Sequence, residues 1–153
     1  MEIIDGEGGS GGHHHHHHMW KSVVVEDCFN LLINLIADNY SNQKFFVETT
    51  NLLKKLCGYF NIITTTSSID LNNQQTQTNL CLILRLFRCL VASYNSSYSS
   101  QKQQSIACQR AFAHFGLLHR LCATLMMMHV VPHEFLAQVI VTVSQIIRGK
   151  CLS

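Results

Sequence analysis

The sequence predicts an all-α chain, and three observations carry that prediction. Apolar residues recur at the i, i+3, i+4, i+7 spacing of a helix with one packed side. Apart from a short β-branched piece at 62–66, no stretch alternates apolar and polar residues as a half-buried strand does. The only proline, Pro132, stands at the opening of a periodic segment, where a helix loses no needed N–H. With 153 residues, 47% hydrophobic and 13% charged, the chain suits one domain with a sizeable core and is not disordered. Its longest apolar runs fall short of the ~18 residues that argue for a membrane span.

The elements follow in order. From Val24, apolar residues at 24, 28, 31, 32, 35 and 36 form the stripe of a helix packed on one side, with Asp27, Asn30, Asn34 and Asp38 on the other. Ser41 offers an N-cap for a short helix holding Phe45 and Phe46. A further helix carries Leu52, Leu53, Leu56 and Phe60. Residues 61–79 are polar and Asn/Gln-rich late, and read as a loop. A long helix near 76–94 places Leu80, Ile83, Leu84, Phe87, Leu90 and Val91 on one face. A second polar loop at 95–104 precedes helices near 104–114 and 116–129. The last helix opens at Pro132 and turns Leu136, Val139, Ile140, Val143 and Ile147 inward.

The chain also contains an internal repeat. Asn42-Gln-Lys-Phe-Phe46 followed by Leu52-Leu-Lys-Lys-Leu-Cys57 resembles Cys108-Gln-Arg-Ala-Phe112 followed by Leu117-Leu-His-Arg-Leu-Cys122. Leu35-Ile-Ala-Asp38 aligns with Leu90-Val-Ala-Ser93 and, less closely, with Ile146-Ile147-Arg148, so Asn34, Cys89 and Gln145 are equivalent. Each unit is then a short, a medium and a long helix, the armadillo-type plan, with its usual period of about 40–47 residues stretched to roughly 55 by the two polar loops. One such unit cannot bury its apolar face alone, and neighbours stack to share a core. The fold expected is an armadillo-like α-solenoid fragment of about two repeats.

Residues 1–22 form a Gly/His-rich flexible segment, residues 23–149 the helical repeats, and residues 150–153 a tail. The run His13–His18 behind a Gly-rich stretch reads as an expression tag with linker, or as a native low-complexity loop insertion. It will bind nickel or zinc loosely in either case. Without it, residues 19–153 carry eleven Lys and Arg against six acids, a dispersed net charge of +5 that makes no nucleic-acid patch. The seven cysteines are odd in number, form no C-x-x-C pair and mostly sit among apolar neighbours, which indicates a reduced, cytosolic protein.

No motif carries catalysis: there is no G-x-S-x-G, no H-E-x-x-H and no phosphate-binding Gly-rich loop. Cys122, His129 and His133 lack a fourth ligand at a recognisable spacing, and no metal or cofactor site is assigned. Met126-Met127-Met128 reads as core plus helix surface, with a Met-rich groove as the weaker reading. Asn30, Asn34, Arg85 and Arg88 lie off the apolar stripes and are the candidate partner-binding residues, with solvated or structural roles as the plainer alternative.

Val24-Val25-Glu26-Asp27-Cys28, Asn34-Leu35 and Ser41-Asn-Gln-Lys-Phe-Phe46 resemble the head domain of the general vesicular transport factor family, the Golgi tethers. Gly116-Leu-Leu-His-Arg-Leu-Cys122 and Thr142-Val-Ser-Gln-Ile-Ile-Arg-Gly149 resemble the same head in the same order, so the likeness covers most of residues 22–149. Glu2-Ile-Ile-Asp5 with the Gly-rich Gly6–Gly12 is similar to the family's acidic loop ahead of V-V-E-D-C, which favours a native insertion; the hexahistidine departs from the family. The resemblance implies a non-enzymatic segment of a vesicle-tethering factor in ER-to-Golgi and intra-Golgi transport. Its partners would be Rab-type GTPases, coat components and SNAREs, and its place the cytoplasmic side of Golgi and vesicle membranes, reached through those partners. The family's dimerising coiled coil and its acidic, golgin-binding tail have no counterpart here, so the resemblance implies an excerpt of the head, without its first and last repeats. The alternatives are a generic armadillo scaffold with another client, and a metal-binding module.

Overall fold

The structure, a computed structural model, describes residues 19–65, 70–127 and 129–148. Among them run seven helices and no strand: α1 (Val23–Ile36), α2 (Tyr40–Thr49), α3 (Leu52–Thr65), α4 (Gln74–Leu90), α5 (Ser99–His114), α6 (Leu117–Leu125) and α7 (His133–Ile147). None is long and apolar enough to cross a membrane.

Short polar side chains cap the starts of α1, α2 and α4. The Ser22 hydroxyl accepts from the Val25 N–H at 3.3 Å, and Asn39 and Asn73 carboxamides accept from Asn42 and Thr76 N–H groups at 3.0 Å each. Asn39 therefore caps α2, while Ser41, the cap expected from the sequence, sits exposed in its first turn. Gly116, in the left-handed region at φ +72°, lets α5 turn directly into α6.

The helices stack at a period of three. The long helices α1, α4 and α7 pack in one row, α2 packs on α5, and α3 packs on α6. Links from α1 to α2, α2 to α3, α4 to α5, α5 to α6 and α6 to α7 tie the rows together. This is the armadillo-like stacking that the internal repeat predicts. Phe60, Phe87 and Phe112 run through the core from α3 to α5, with ring centroids 5.9 Å and 5.1 Å apart.

Buried amides join the rows. Asn79 donates through Nδ2 to the carbonyls of Trp20 (2.8 Å) and Ser22 (3.0 Å), closing α4 onto the head of α1. Gln43 donates to the Ile36 carbonyl, and its repeat equivalent Gln109 to the carbonyls of Ile146 and Arg148. Both fill orphan acceptors at the end of a long helix, although Gln43 serves the preceding one and Gln109 the following one. The end of α4 is held instead by Ser105, whose hydroxyl accepts from the Ser93 N–H at 3.1 Å.

The loops are shorter than expected. Helix α3 runs on to Thr65 and α4 begins at Gln74, inside the stretch 61–79 read as a loop; α5 begins at Ser99, inside 95–104. The early start of α5 follows from Gln104 and Ser105, buried polar residues satisfied by hydrogen bonds and so invisible to an apolar period, whereas α4 opens within two residues of the expected 76. The long helix α4 ends at Leu90 rather than near 94. Trp20, which the sequence leaves in the Gly/His-rich segment, belongs to the core and packs edge-on against Tyr59 at 5.0 Å. Residues 1–18, the rest of that segment, and the tail at 150–153 lie outside the described residues.

The stripe of α4 is buried as expected. The stripe of α1 is buried only in part: Ile36 is buried and Leu32 packs half-buried against the core, whereas Val24, Cys28, Leu31 and Leu35 are exposed and Ile33, from outside the stripe, is buried. On α7, Val139 and Leu136 are buried, but Ile140 and Ile147 are exposed and their place is taken by Phe135, Thr142 and Ile146. Phe45, paired with Phe46 by sequence, is also exposed.

Candidate functional site

The surface in question is the outer side of the long-helix row. The three helices run in the same direction. At the heads of α1 and α4, Gln75 donates to Glu26 at 3.1 Å and Asn79 reaches Ser22; toward their ends, the Asp38 carboxylate lies close enough to act on Cys89. Arg88 of α4 reaches Thr142 of α7. In the alignment of Leu35 with Leu90, Asn30 is the α1 counterpart of Arg85 and Asn34 that of Cys89.

Asn30, Asn34 and Arg85 are exposed. No hydrogen bond or ion pair holds the Arg85 guanidinium among the described residues. Arg88 is placed differently from the sequence expectation of a solvated face. It is half-buried between α4 and α7, and its guanidinium donates to the Thr142 hydroxyl at 2.9 Å; that hydroxyl in turn donates to the Gln138 carbonyl at 2.7 Å. Burial pushes the Arg88 pKa down and Arg85 pushes it the same way, while the Cys89 and Cys81 thiols oppose the shift. An arginine remains charged through such a shift, so Arg88 is a positioned cation.

Between α4 and α7 lies an open cleft of about 370 Å³. Arg85 and Arg88 line it from α4, together with Gln77, Thr78 and Cys81, and Glu134 and Gln138 line it from α7. Asn30 and Asn34 stand outside this cleft, one helix away. Sequence reasoning missed Gln77, Thr78, Glu134 and Gln138. The available signal was register: Gln138 is the α7 counterpart of Leu82, next to the stripe of α4.

The cysteines are structural where they are buried. Burial raises the Cys57 and Cys108 thiols to about 12, and it raises Cys81 and Cys89 as well, against the pull of the nearby arginines. Cys28 and Cys122 are exposed, so the internal repeat pairs a buried Cys57 with an exposed Cys122. His129 and His133 are exposed, and among the described residues no three His, Cys, Asp or Glu converge. Met126 is 81% exposed and Met127 half-buried; Met128 lies outside the described residues.

Residues 72–135 match the family model described as the armadillo tether-repeat of vesicular transport factor. That span takes in α4, α5 and α6 and the first residues of α7, one period of the stack. The chain is 37% identical over 149 residues, 97% of its length, to the general vesicular transport factor p115 of Homo sapiens, and 36% identical over 152 residues to that of Rattus norvegicus. The chain belongs to the general vesicular transport factor family. It spans 14% of the length of the human and rat proteins. Within the family unit at 72–135, the cleft takes Arg85, Arg88 and Glu134 from inside the matched span and Gln138 from just beyond it.

Proposed function

We propose that this chain is a non-enzymatic, protein-interaction segment of a vesicle-tethering factor acting in ER-to-Golgi and intra-Golgi transport. Its membership of the general vesicular transport factor family supports the setting. The reading of mechanism rests on one observation: an exposed Arg85, with no hydrogen bond or ion pair among the described residues, lines a cleft whose second arginine is held by Thr142. A rigid row of helices offering carboxamides and a guanidinium suits docking of a folded partner with an acidic patch. The partner is a membrane-bound one, a Rab-type small GTPase, a coat component or a SNARE, and the protein is held peripherally on Golgi and vesicle membranes through it. Asn30, Asn34 and Arg85 make the contact, and Arg88 positions the cleft.

Pull-down of purified Rab-type GTPases in both nucleotide states tests this. Nucleotide-dependent capture is expected, weakened about tenfold by Arg85→Glu, in line with the loss of a central contact. Capture that ignores both the nucleotide and the Arg85 charge reversal overturns the mechanism and leaves the family membership intact.

A further inference from the structure

The positive charge that is dispersed along the sequence is gathered by the fold. Six of the eleven Lys and Arg of residues 19–153, namely Lys44, Lys54, Lys55, Lys102, Arg110 and Arg120, sit on α2, α3, α5 and α6. Those four helices carry one acid, Glu48. The other five cations of the stretch are balanced by five acids. The whole excess of +5 therefore belongs to the two rows α2–α5 and α3–α6, and none of it to the long-helix row.

Between α2 and α5 runs an open groove of about 500 Å³. Lys44 lines it from α2 and Arg110 from α5, two equivalent positions of the internal repeat, with Ser100 and Gln103 beside them. Both cations are exposed, and neither is held by an ion pair among the described residues, although Glu48 lines the same groove one turn beyond Lys44. Gln104 lines it too, at 6% exposure. Its amide nitrogen bonds the Cys108 sulfur at 3.6 Å, and its carbonyl oxygen accepts nothing among the described residues. Phe45 follows Lys44 on the solvent side of α2 and is 62% exposed.

We propose that the α2–α5 groove is a direct contact site for the anionic phospholipid surface of a membrane. Lys44 and Arg110 meet headgroup phosphates, and Ser100 and Gln103 hydrogen-bond to them. Glu48 and the Gln104 oxygen accept from a headgroup ammonium or hydroxyl. Phe45 rests at headgroup level, where an aromatic ring is favoured. The surrounding lysines and Arg120 add attraction over about a Debye length. Residue type decides between lipid and protein here: four of the six cations are lysines, which protein interfaces disfavour and anionic bilayers attract. Membership of a vesicular transport family puts such a surface within reach. The proposal does not rest on the partner surface around Arg85, and a test with lipid alone leaves that reading untouched.

Co-sedimentation of the full chain with phosphatidylcholine vesicles, with and without phosphatidylserine, tests this. EDTA and a pH of about 8 keep the His13–His18 run metal-free and uncharged. Phosphatidylserine is expected to raise the affinity about tenfold or more, an advantage that shrinks as salt is added. Lys44→Glu and Arg110→Glu are each expected to lower it about tenfold, while Lys21→Glu, the same charge change on an exposed residue outside the four helices, shifts it less than about twofold. Phe45→Ala is expected to lower the affinity without changing its salt dependence. All four side chains are exposed, so the variants should melt like the parent, and Lys44→Glu and Arg110→Glu read the groove from opposite helices. Equal binding to the two kinds of vesicle overturns the proposal. Equal losses from Lys21→Glu and Lys44→Glu overturn it by reducing the attraction to net charge. Capture of a polyglutamate peptide through Lys44 and Arg110, with no vesicle binding, overturns it in favour of an acidic protein.

Discussion

Helices α1 and α4 have the same apolar period and opposite fates. Helix α4 is flanked by α1 and α7, and Asn79, Ile83, Leu86 and Leu90 are fully buried. Their counterparts on α1, Val24, Cys28, Leu31 and Leu35, face outward. An apolar stripe records that a helix has a packing side, whereas burial depends on whether a neighbour stands there. In a stack each unit contacts only its neighbours, so the middle long helix holds the fold together and the outer ones are half-used.

Truncating equivalent leucines is the most direct way to break that comparison. Leu86→Ala is expected to destabilise by about 2–5 kcal/mol, because a fully buried side chain leaves a cavity. Leu31→Ala is expected to stay within about 0.5 kcal/mol. Urea denaturation of both variants checks this, and equal losses would erase the distinction between the two helices.

The polar ends of the same stripe should differ as well. Asn79→Ala strands the Trp20 and Ser22 carbonyls and is expected to cost about 1–3 kcal/mol, while Val24→Ala at the matching place on α1 should be near neutral. Replacing the Asn39 cap with alanine, a local change at the start of α2, is expected to cost about 1 kcal/mol. Gly116→Ala sharpens a separate point. A Cβ there meets nothing within 4 Å, so any loss, expected near 1–2 kcal/mol, comes from the left-handed backbone alone.

One further effect appears only in alkali. Cys57 and Cys108 have folded pKa values of about 12 against an ordinary 9.0, so the unfolded chain gives up these protons first. Stability from this source is fully present below pH 9.0 and falls as the pH rises toward 12. The denaturation midpoint should therefore decline over that window in the parent and decline less in Cys57→Ala and Cys108→Ala.

Much of the fold was legible because α4 and the repeat around Gln43 and Gln109 obey a simple apolar period. The early start of α5 was not legible, since Gln104 and Ser105 are polar and become core only by hydrogen bonding. Of the candidate surface, Arg85 could be read as lying off the stripe. The lock between Arg88 and Thr142 could not, because those residues are 54 positions apart and belong to different units.

The amino-acid sequence by itself determined that the chain is helical, that its units repeat, and which side chains are able to pack. Local propensity and the 3.6-residue period act within one helix and need no partner. The tertiary structure alone decided which able side was used. It turned α1 onto Ile33 and Ile36, buried Trp20 under Tyr59, drew Arg88 into the seam, and left Leu31 and Leu35 uncovered. Burial is a property of two surfaces, and a periodic sequence specifies only one of them.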